Sequence, residues 1–282
     1  PIRPLVRAAI RSTNFIAAQS QIDAERFLEL GARPERIRVV GNLKYDMHVP
    51  PTLKPQAAAW REAWGARRPV WIAASTHEGE EQAVIDAHTR LLRRFPDALL
   101  IVAPRHPERF RPMTQLCRGY GFVTACRSED QLARIDTQCF VLDTLGELVA
   151  FCAAADIAFV AGSLDPIGGH NVLEPAALGV PTLVGPNTFN FAEVTDLLIE
   201  RNACLRIANP DDLATTLQRL LGDAEKRRRM GENALAVVDA QRGAAARTLD
   251  IVHRVLAGMN PITLTGESVG SREVTKPQEG GR

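Results

Sequence analysis

The residues with the greatest chemical capacity fall in one run, Ala161-Gly162-Ser163-Leu164-Asp165-Pro166-Ile167-Gly168-Gly169-His170-Asn171-Val172-Leu173-Glu174-Pro175. Gly162, Gly168 and Gly169 permit close approach of backbone to a ligand. Asn171 and Glu174 stand three apart, so on a first helical turn they share a face. A carboxylate there can accept two hydroxyls of a ribose. His170 and Glu174 would also suit a metal, but no third ligand has suitable spacing, so no metal is expected.

Five further segments carry polar chemistry. In Pro104-Arg105-His106-Pro107-Glu108-Arg109-Phe110 the prolines stiffen a loop from which Arg105 could grip a phosphate through two parallel hydrogen bonds. The alternative is a solvated arginine. In Asp143-Thr144-Leu145-Gly146-Glu147-Leu148, Gly146 lets backbone amides near a helix N-terminus approach an anion; a capped helix with glycine in its first turn reads equally well. In Ser75-Thr76-His77-Glu78-Gly79-Glu80-Glu81, Ser75 or Thr76 can cap a helix whose free amides suit an anion. The plainer reading is an N-cap with acidic residues favouring the dipole. Lys44, in Gly41-Asn42-Leu43-Lys44-Tyr45-Asp46, follows an apolar run and is either functional or only solvated. Gly185-Pro186-Asn187-Thr188-Phe189-Asn190-Phe191 could line a sugar pocket, but support of the glycine-rich loop is the favoured reading.

These segments share a position: each follows a short apolar run. The runs are 37–40, 70–74, 99–103, 140–142, 157–160, 182–184 and, more weakly, 204–207. They lack polar alternation, as strands covered on both faces do. Helical patterns at 80–95, 108–120, 145–155, 173–178 and 192–201 separate them. Strand and helix alternating at this spacing predict an α/β fold with a doubly wound parallel sheet, whose ligands bind at the carboxyl ends of the strands. Helices at 210–221, 224–241 and 244–256 follow, the first opened by Asn209 as cap and Pro210 in the first turn. Residues 14–18 suggest a strand, 21–30 a helix ended by Gly31, and 50–55 a proline-punctuated connection. Beyond Gly258 the composition predicts a disordered tail.

Composition narrows the classes. The chain has 282 residues, 45% hydrophobic and 24% charged, with net charge +1, so no whole-molecule field selects nucleic acid or a membrane. Five scattered cysteines suit reduced thiols rather than a disulfide framework or a zinc site. No signal peptide and no run of 18 apolar residues is visible. The first residue is Pro1, so the expectation is a processed chain or one whose front is missing.

Six of these motifs, in order, resemble the 3-deoxy-D-manno-octulosonic acid (Kdo) transferases. They are Asn42-Leu43-Lys44-Tyr45-Asp46, Ala74 through Glu81, Pro104 through Arg109, Leu145-Gly146-Glu147, Pro166 through Pro175, and Phe189-Asn190-Phe191. The likeness runs from about Asn14 to Leu256. It departs at Leu145, where methionine is common; a backbone contact there would make the change immaterial.

The resemblance implies the Rossmann-like C-terminal domain of a two-domain (B-type) glycosyltransferase. Residues 1–36 would be a remnant of the N-terminal acceptor domain, 37–258 the CMP-sugar domain and 259–282 the tail. It implies CMP held by Pro104, Arg105, Leu145, Gly146, Glu147, Asn171, Val172, Leu173 and Glu174, with Ser75, Gly168 and Gly169 as support and Lys44 stabilising transition-state charge. The implied reaction is inverting, needs neither metal nor cofactor, and moves Kdo from CMP-Kdo to a lipid A precursor in lipopolysaccharide synthesis. The anchor, acceptor site and glutamate base of that family lie in its N-terminal part, so this fragment is expected to be soluble and inactive alone. Membrane association through that part, a place on the cytoplasmic face of the bacterial inner membrane and no nucleic-acid partner complete the expectation. The alternatives are another nucleotide-sugar transferase or epimerase, separable by CMP against UDP competition, or a CMP-binding module without activity.

Overall fold

The computed structural model describes residues 2–129 and 132–259. In chain order the elements are α1 (Arg3–Ser12), β1 (Ile16–Ala18), α2 (Gln21–Glu29), β2 (Ile37–Val39), α3 (Leu53–Trp64), β3 (Val70–Thr76), α4 (Glu78–Leu92), β4 (Leu99–Pro104), α5 (Phe110–Gly119), β5 (Thr124–Cys126), β6 (Cys139–Val141), α6 (Leu148–Ala153), β7 (Ile157–Val160), α7 (Leu173–Ala177), β8 (Thr182–Val184), α8 (Ala192–Glu200), β9 (Cys204–Arg206), α9 (Pro210–Leu221), α10 (Ala224–Gln241) and α11 (Ala244–Leu256). They divide into two compact units: Lys44–Arg242, and the flanking Pro1–Leu43 with Gly243 onward.

The larger unit is the doubly wound domain expected. Seven parallel strands run in the order β5-β6-β4-β3-β7-β8-β9. The chain passes from β3 to β4, out to β5 at the edge, back to β6 between β5 and β4, then crosses to β7 beside β3 and winds the other way through β8 to β9. The order therefore reverses between β3 and β7, and that switch point opens a crevice at their carboxyl ends. β3 shows why the sheet needs two covered faces. Trp71 and Ala73 enter one apolar cluster with α4, α5 and α9; Val70 and Ile72 enter another with α3 and α6, and all four are fully buried. Asn209 caps α9 as expected, its side chain accepting from Asp212 N at 3.0 Å with Pro210 in the first turn.

Glycine is needed where α10 crosses the turn after α7. A Cβ on Gly231 would overlap the Gly179 carbonyl oxygen, which is backbone and cannot swing away. Gly231→Ala is expected to lower stability by about 1–3 kcal/mol, the scale of overpacking a close contact; a denaturant titration reads it.

In the smaller unit β1 pairs in parallel with β2, Ile16 opposite Ile37. The run at 37–40, read above as the first strand of the main sheet, belongs instead to this two-stranded sheet, and the smaller unit ends at Leu43 and resumes at Gly243. The division thus differs from the expected boundaries at 37 and 258. An apolar run reveals a strand but not its neighbour. Three elements had gone unread, α1 (Arg3–Ser12) among them. α3 begins inside the proline-punctuated segment, because Pro55 sits in the first turn, where a missing N–H costs nothing. β5 is a three-residue edge strand too short to show a period. The expected tail from residue 260 onward lies outside the described residues.

Candidate functional site

β3 delivers the first wall of the crevice. Its ladder shifts register between Ala74 and Thr76, and Ser75 between them takes a left-handed backbone, φ 60°, uncommon for a residue with a side chain. α4 starts at once, with His77 as N-cap. Its first turn sends Glu80 inward. This fully buried carboxylate accepts three backbone hydrogen bonds from the loop after β7: Gly162 N at 2.6 Å, Ser163 N at 3.0 Å and Leu164 N at 2.7 Å. The acidic start of α4 is thus more than dipole compensation; one of its carboxylates closes the glycine-rich loop.

β4 ends at Pro104. Arg105 N donates to Thr76 O at 2.9 Å, and its exposed guanidinium has no hydrogen bond or ion pair among the described residues. The loop is secured by Arg109, whose guanidinium meets Glu78 at 2.8 Å and the buried Glu81 at 2.6 Å. Hydrogen bonding to Glu81 raises the proton affinity of Arg109 further, so the pair stays ionised. Arg105 is held by its backbone alone.

After β6, Gly146 takes φ 86°. The Glu147 carboxylate turns away to Arg127, at 3.0–3.1 Å, and to the Thr144 hydroxyl, and Arg127 holds its pKa below the usual carboxylate value. Thr144, Leu145 and Gly146 of this turn line the crevice, and the Glu147 carboxylate does not.

After β7, the glycine-rich loop folds back with Gly169 N on Gly162 O at 2.7 Å. A Cβ on Gly168 would overlap Phe189, so Gly168 and Gly169 shape the loop against 185–191. Asn171 Oδ1 accepts from Leu173 N at 3.1 Å and Asn171 Nδ2 donates to Glu174 Oε1 at 3.1 Å. Burial raises the pKa of Glu174, partly offset by that bond. Val172 and Leu173 are buried in the core, so only their backbone can reach a ligand.

These segments enclose a cleft of about 330 Å³. Ser75, Pro104, Arg105, Leu145, Gly146, Asn171 and Glu174 line it, together with His170, Thr144 and Phe191. Gly168, Gly169, Val172, Leu173 and Glu147 lie behind the lining. Lys44 sits at its edge, its ammonium 4.6 Å from the ring centre of Phe191. The polar lining is the Arg105 guanidinium, the Asn171–Glu174 amide–carboxylate pair, the His170 imidazole and the hydroxyl-bearing Ser75 and Thr144, a set that suits a phosphate and a diol. Among the described residues no group of three or more His, Cys, Asp or Glu could hold a metal ion. Three residues went without a role in the sequence: Glu80, whose partners lie more than 80 positions away, and His77 and His170, which meet across the crevice.

Comparison with known proteins gives this cleft a setting. The family model for 3-deoxy-D-manno-octulosonic-acid transferase (kdotransferase) matches residues 1–47, and that for glycosyl transferases group 1 matches residues 82–237. The solved C-terminal CMP-Kdo binding domain of WaaA from Acinetobacter baumannii is 36% identical, with a TM-score of 0.63, over 66% of this chain and 98% of that one. The chain belongs to the Kdo transferase family, within the group 1 glycosyl transferases. The 3-deoxy-D-manno-octulosonic acid transferase of Haemophilus influenzae is 39% identical over 85% of this chain and 56% of its own length. That of Bordetella pertussis is 36% identical over 87% of this chain and 57% of its own. This Kdo transferase family member therefore spans little more than half the length of the curated relatives it matches. HepE of Anabaena, solved in complex with UDP, superposes with a TM-score of 0.55 at 18% identity over 91% of this chain and 67% of its own, a likeness of fold alone.

Proposed function

We propose that this chain is the donor-nucleotide half of a glycosyltransferase that moves Kdo from CMP-Kdo to a lipid A precursor with inversion. The observation that carries the reading is the convergence of Arg105, Gly146, Asn171 and Glu174 on one cleft at the switch point. Its support is the 36% identity to a domain whose title names CMP-Kdo binding. Because the chain spans about half of its relatives, the reaction, acceptor and stereochemistry all belong to the proposal.

Each group has a task in this reading. Glu174, with one oxygen already steadied by Asn171, accepts the ribose hydroxyls. The backbone of Leu145-Gly146-Glu147 and of Val172-Leu173 receives the nucleotide, while Pro104 and Ser75 shape the wall. Arg105 binds the phosphate. An acceptor hydroxyl oxygen attacks the anomeric carbon, its proton passing to a base; the bond from that carbon to the phosphate oxygen breaks, and CMP leaves with the electron pair. Arg105 and Lys44 offset the charge the phosphate gains. No carboxylate of this chain is assigned as the base. The location that goes with this reading is the cytoplasmic face of the bacterial inner membrane; among the described residues no helix is long and apolar enough to cross a membrane.

Glu174→Ala is expected to weaken CMP binding by roughly 1–3 kcal/mol, the scale of lost hydrogen bonds to a charged group. Calorimetry with CMP and UMP checks both claims. Unchanged CMP affinity in a folded variant removes the ribose role, and preference for UMP by the parent chain removes the donor.

A further inference from the structure

His77 follows β3 and His170 ends the loop after β7, so the two come from opposite sides of the switch point, 93 residues apart in sequence. They meet Nε2 to Nε2 at 2.7 Å, with rings 3° from parallel. That distance requires one proton between the nitrogens, since two bare lone pairs would repel and two N–H groups would collide. In the neutral pair one ring donates and the other accepts, leaving one outer Nδ1 as a bare acceptor. Adding a single proton keeps the central bond and turns that acceptor into a donor. The pair can therefore gain one positive charge without moving an atom heavier than hydrogen.

The groups around it decide when that charge is welcome. Arg105 and His106, from the loop after β4, face the pair with positive or potentially positive charge. Glu80 from α4 and Asp165 from the glycine-rich loop face it with negative charge, and Glu80 is already engaged by three amides. Burial, with His77, Arg105 and His106 adding to it, pushes His170 down to about 4; burial also lowers His77. With both imidazoles lowered in this way, the pair by itself is neutral near pH 7. Arg105 and His170 both line the cleft, so an anion that reaches one reaches the field of the other.

We propose that His77 and His170 form a proton-accepting anion contact of the nucleotide cleft, taking up one proton when a phosphate settles beside Arg105. This rests on the CMP-sugar reading above. The pair positions the phosphate and stores charge; no proton passes from it to a reactant. It also links the strand-end loops on which the two halves of the ligand site are built.

The test is calorimetric titration of the 282-residue chain with CMP at pH 8 and pH 6, in parent and His77→Asn forms. Asparagine is a competent N-cap, so the start of α4 is kept. CMP's own phosphate titrates alike against both proteins, and the parent-to-variant affinity ratio cancels it. The liganded pair holds its proton more tightly than the free pair. Its contribution is therefore largest at low pH and fades as pH rises through the liganded value. The ratio is expected to grow about fivefold from pH 8 to pH 6, below the limit of tenfold per pH unit for one linked proton. His170→Asn should give the same trend. A ratio constant with pH overturns the proposal even if the variants bind weakly, because a mere latch between loops would lose affinity equally at both values. Failure of the parent to bind CMP removes the donor reading and this one with it; CMP binding with a constant ratio removes this one alone. If neither variant folds, imidazole nitrogen chemical shifts of the parent decide. Movement of His77 and His170 toward imidazolium on saturation with CMP at pH 6 supports the pair, and unmoved shifts overturn it.

Discussion

Arg105→Ala is expected to leave the protein folded, to weaken CMP binding modestly, and to lower turnover of the full-length enzyme about 10²-fold at saturating donor, the scale of one preorganised donor removed. The fold should survive because nothing structural hangs on the guanidinium. It has no hydrogen bond or ion pair among the described residues, its loop is pinned by Arg109 on Glu78 and Glu81, and its backbone N–H stays on Thr76 O. Turnover should suffer more than affinity because the phosphate gains charge as its bond to the sugar breaks, and an interaction that strengthens on the way to the transition state appears in the rate. Steady-state kinetics beside a thermal melt make the distinction. A folded variant with near-normal turnover removes Arg105 from the reaction, and a kinetic loss matched by a lower melting temperature makes it a structural residue.

Glu80→Ala should do the opposite, damaging stability and site together. Three backbone N–H groups at the start of the glycine-rich loop would lose their only buried acceptor. Each buried donor left unmet costs about 1–3 kcal/mol. Losses within one network overlap, so the expected total is roughly 3–5 kcal/mol. His170, Asn171 and Glu174 ride on the same loop, and CMP affinity should fall at least tenfold in whatever fraction remains folded. Glu80→Gln keeps one oxygen and sets an NH₂ against an amide, so its loss should be intermediate. Denaturant titration and calorimetry read the two effects, and an unchanged midpoint for Glu80→Ala would show that the loop holds its shape without the clamp.

The larger sheet was legible because its central strands are unbroken apolar runs. Val70 to Ala74, Leu99 to Ala103 and Ile157 to Val160 bury every residue, and such runs in alternation with helices have few other solutions. Pairing was less so. Ile37–Val39 looks like the others but joins Ile16–Ala18, and no local pattern names a partner. Within the cleft, Arg105, Gly146 and the Asn171–Glu174 pair were readable separately, since they follow three different strands, β4, β6 and β7, and each carries its own chemistry. The engagement of the Glu147 carboxylate by Arg127, twenty residues earlier, was not legible, because the loop that carries Arg127 meets this turn only in the fold. Glu80 and the two histidines were visible as residue types but not as roles. Their partners arrive only when β3 and β7 lie side by side, and that adjacency is a property of the winding rather than of either segment.

The three tryptophans, Trp60, Trp64 and Trp71, all fall in the larger unit. Trp60 stacks on Phe151 at 4.4 Å between centroids and lies 5.9 Å from Trp64, while Trp71 opens β3 at the end remote from the cleft. Emission from this chain therefore originates in one unit only, and residues 2–43 and 243–259 contribute no indole to it. A melt followed by fluorescence reports the sheet that carries the cleft, whereas far-ultraviolet dichroism sums every helix in both units.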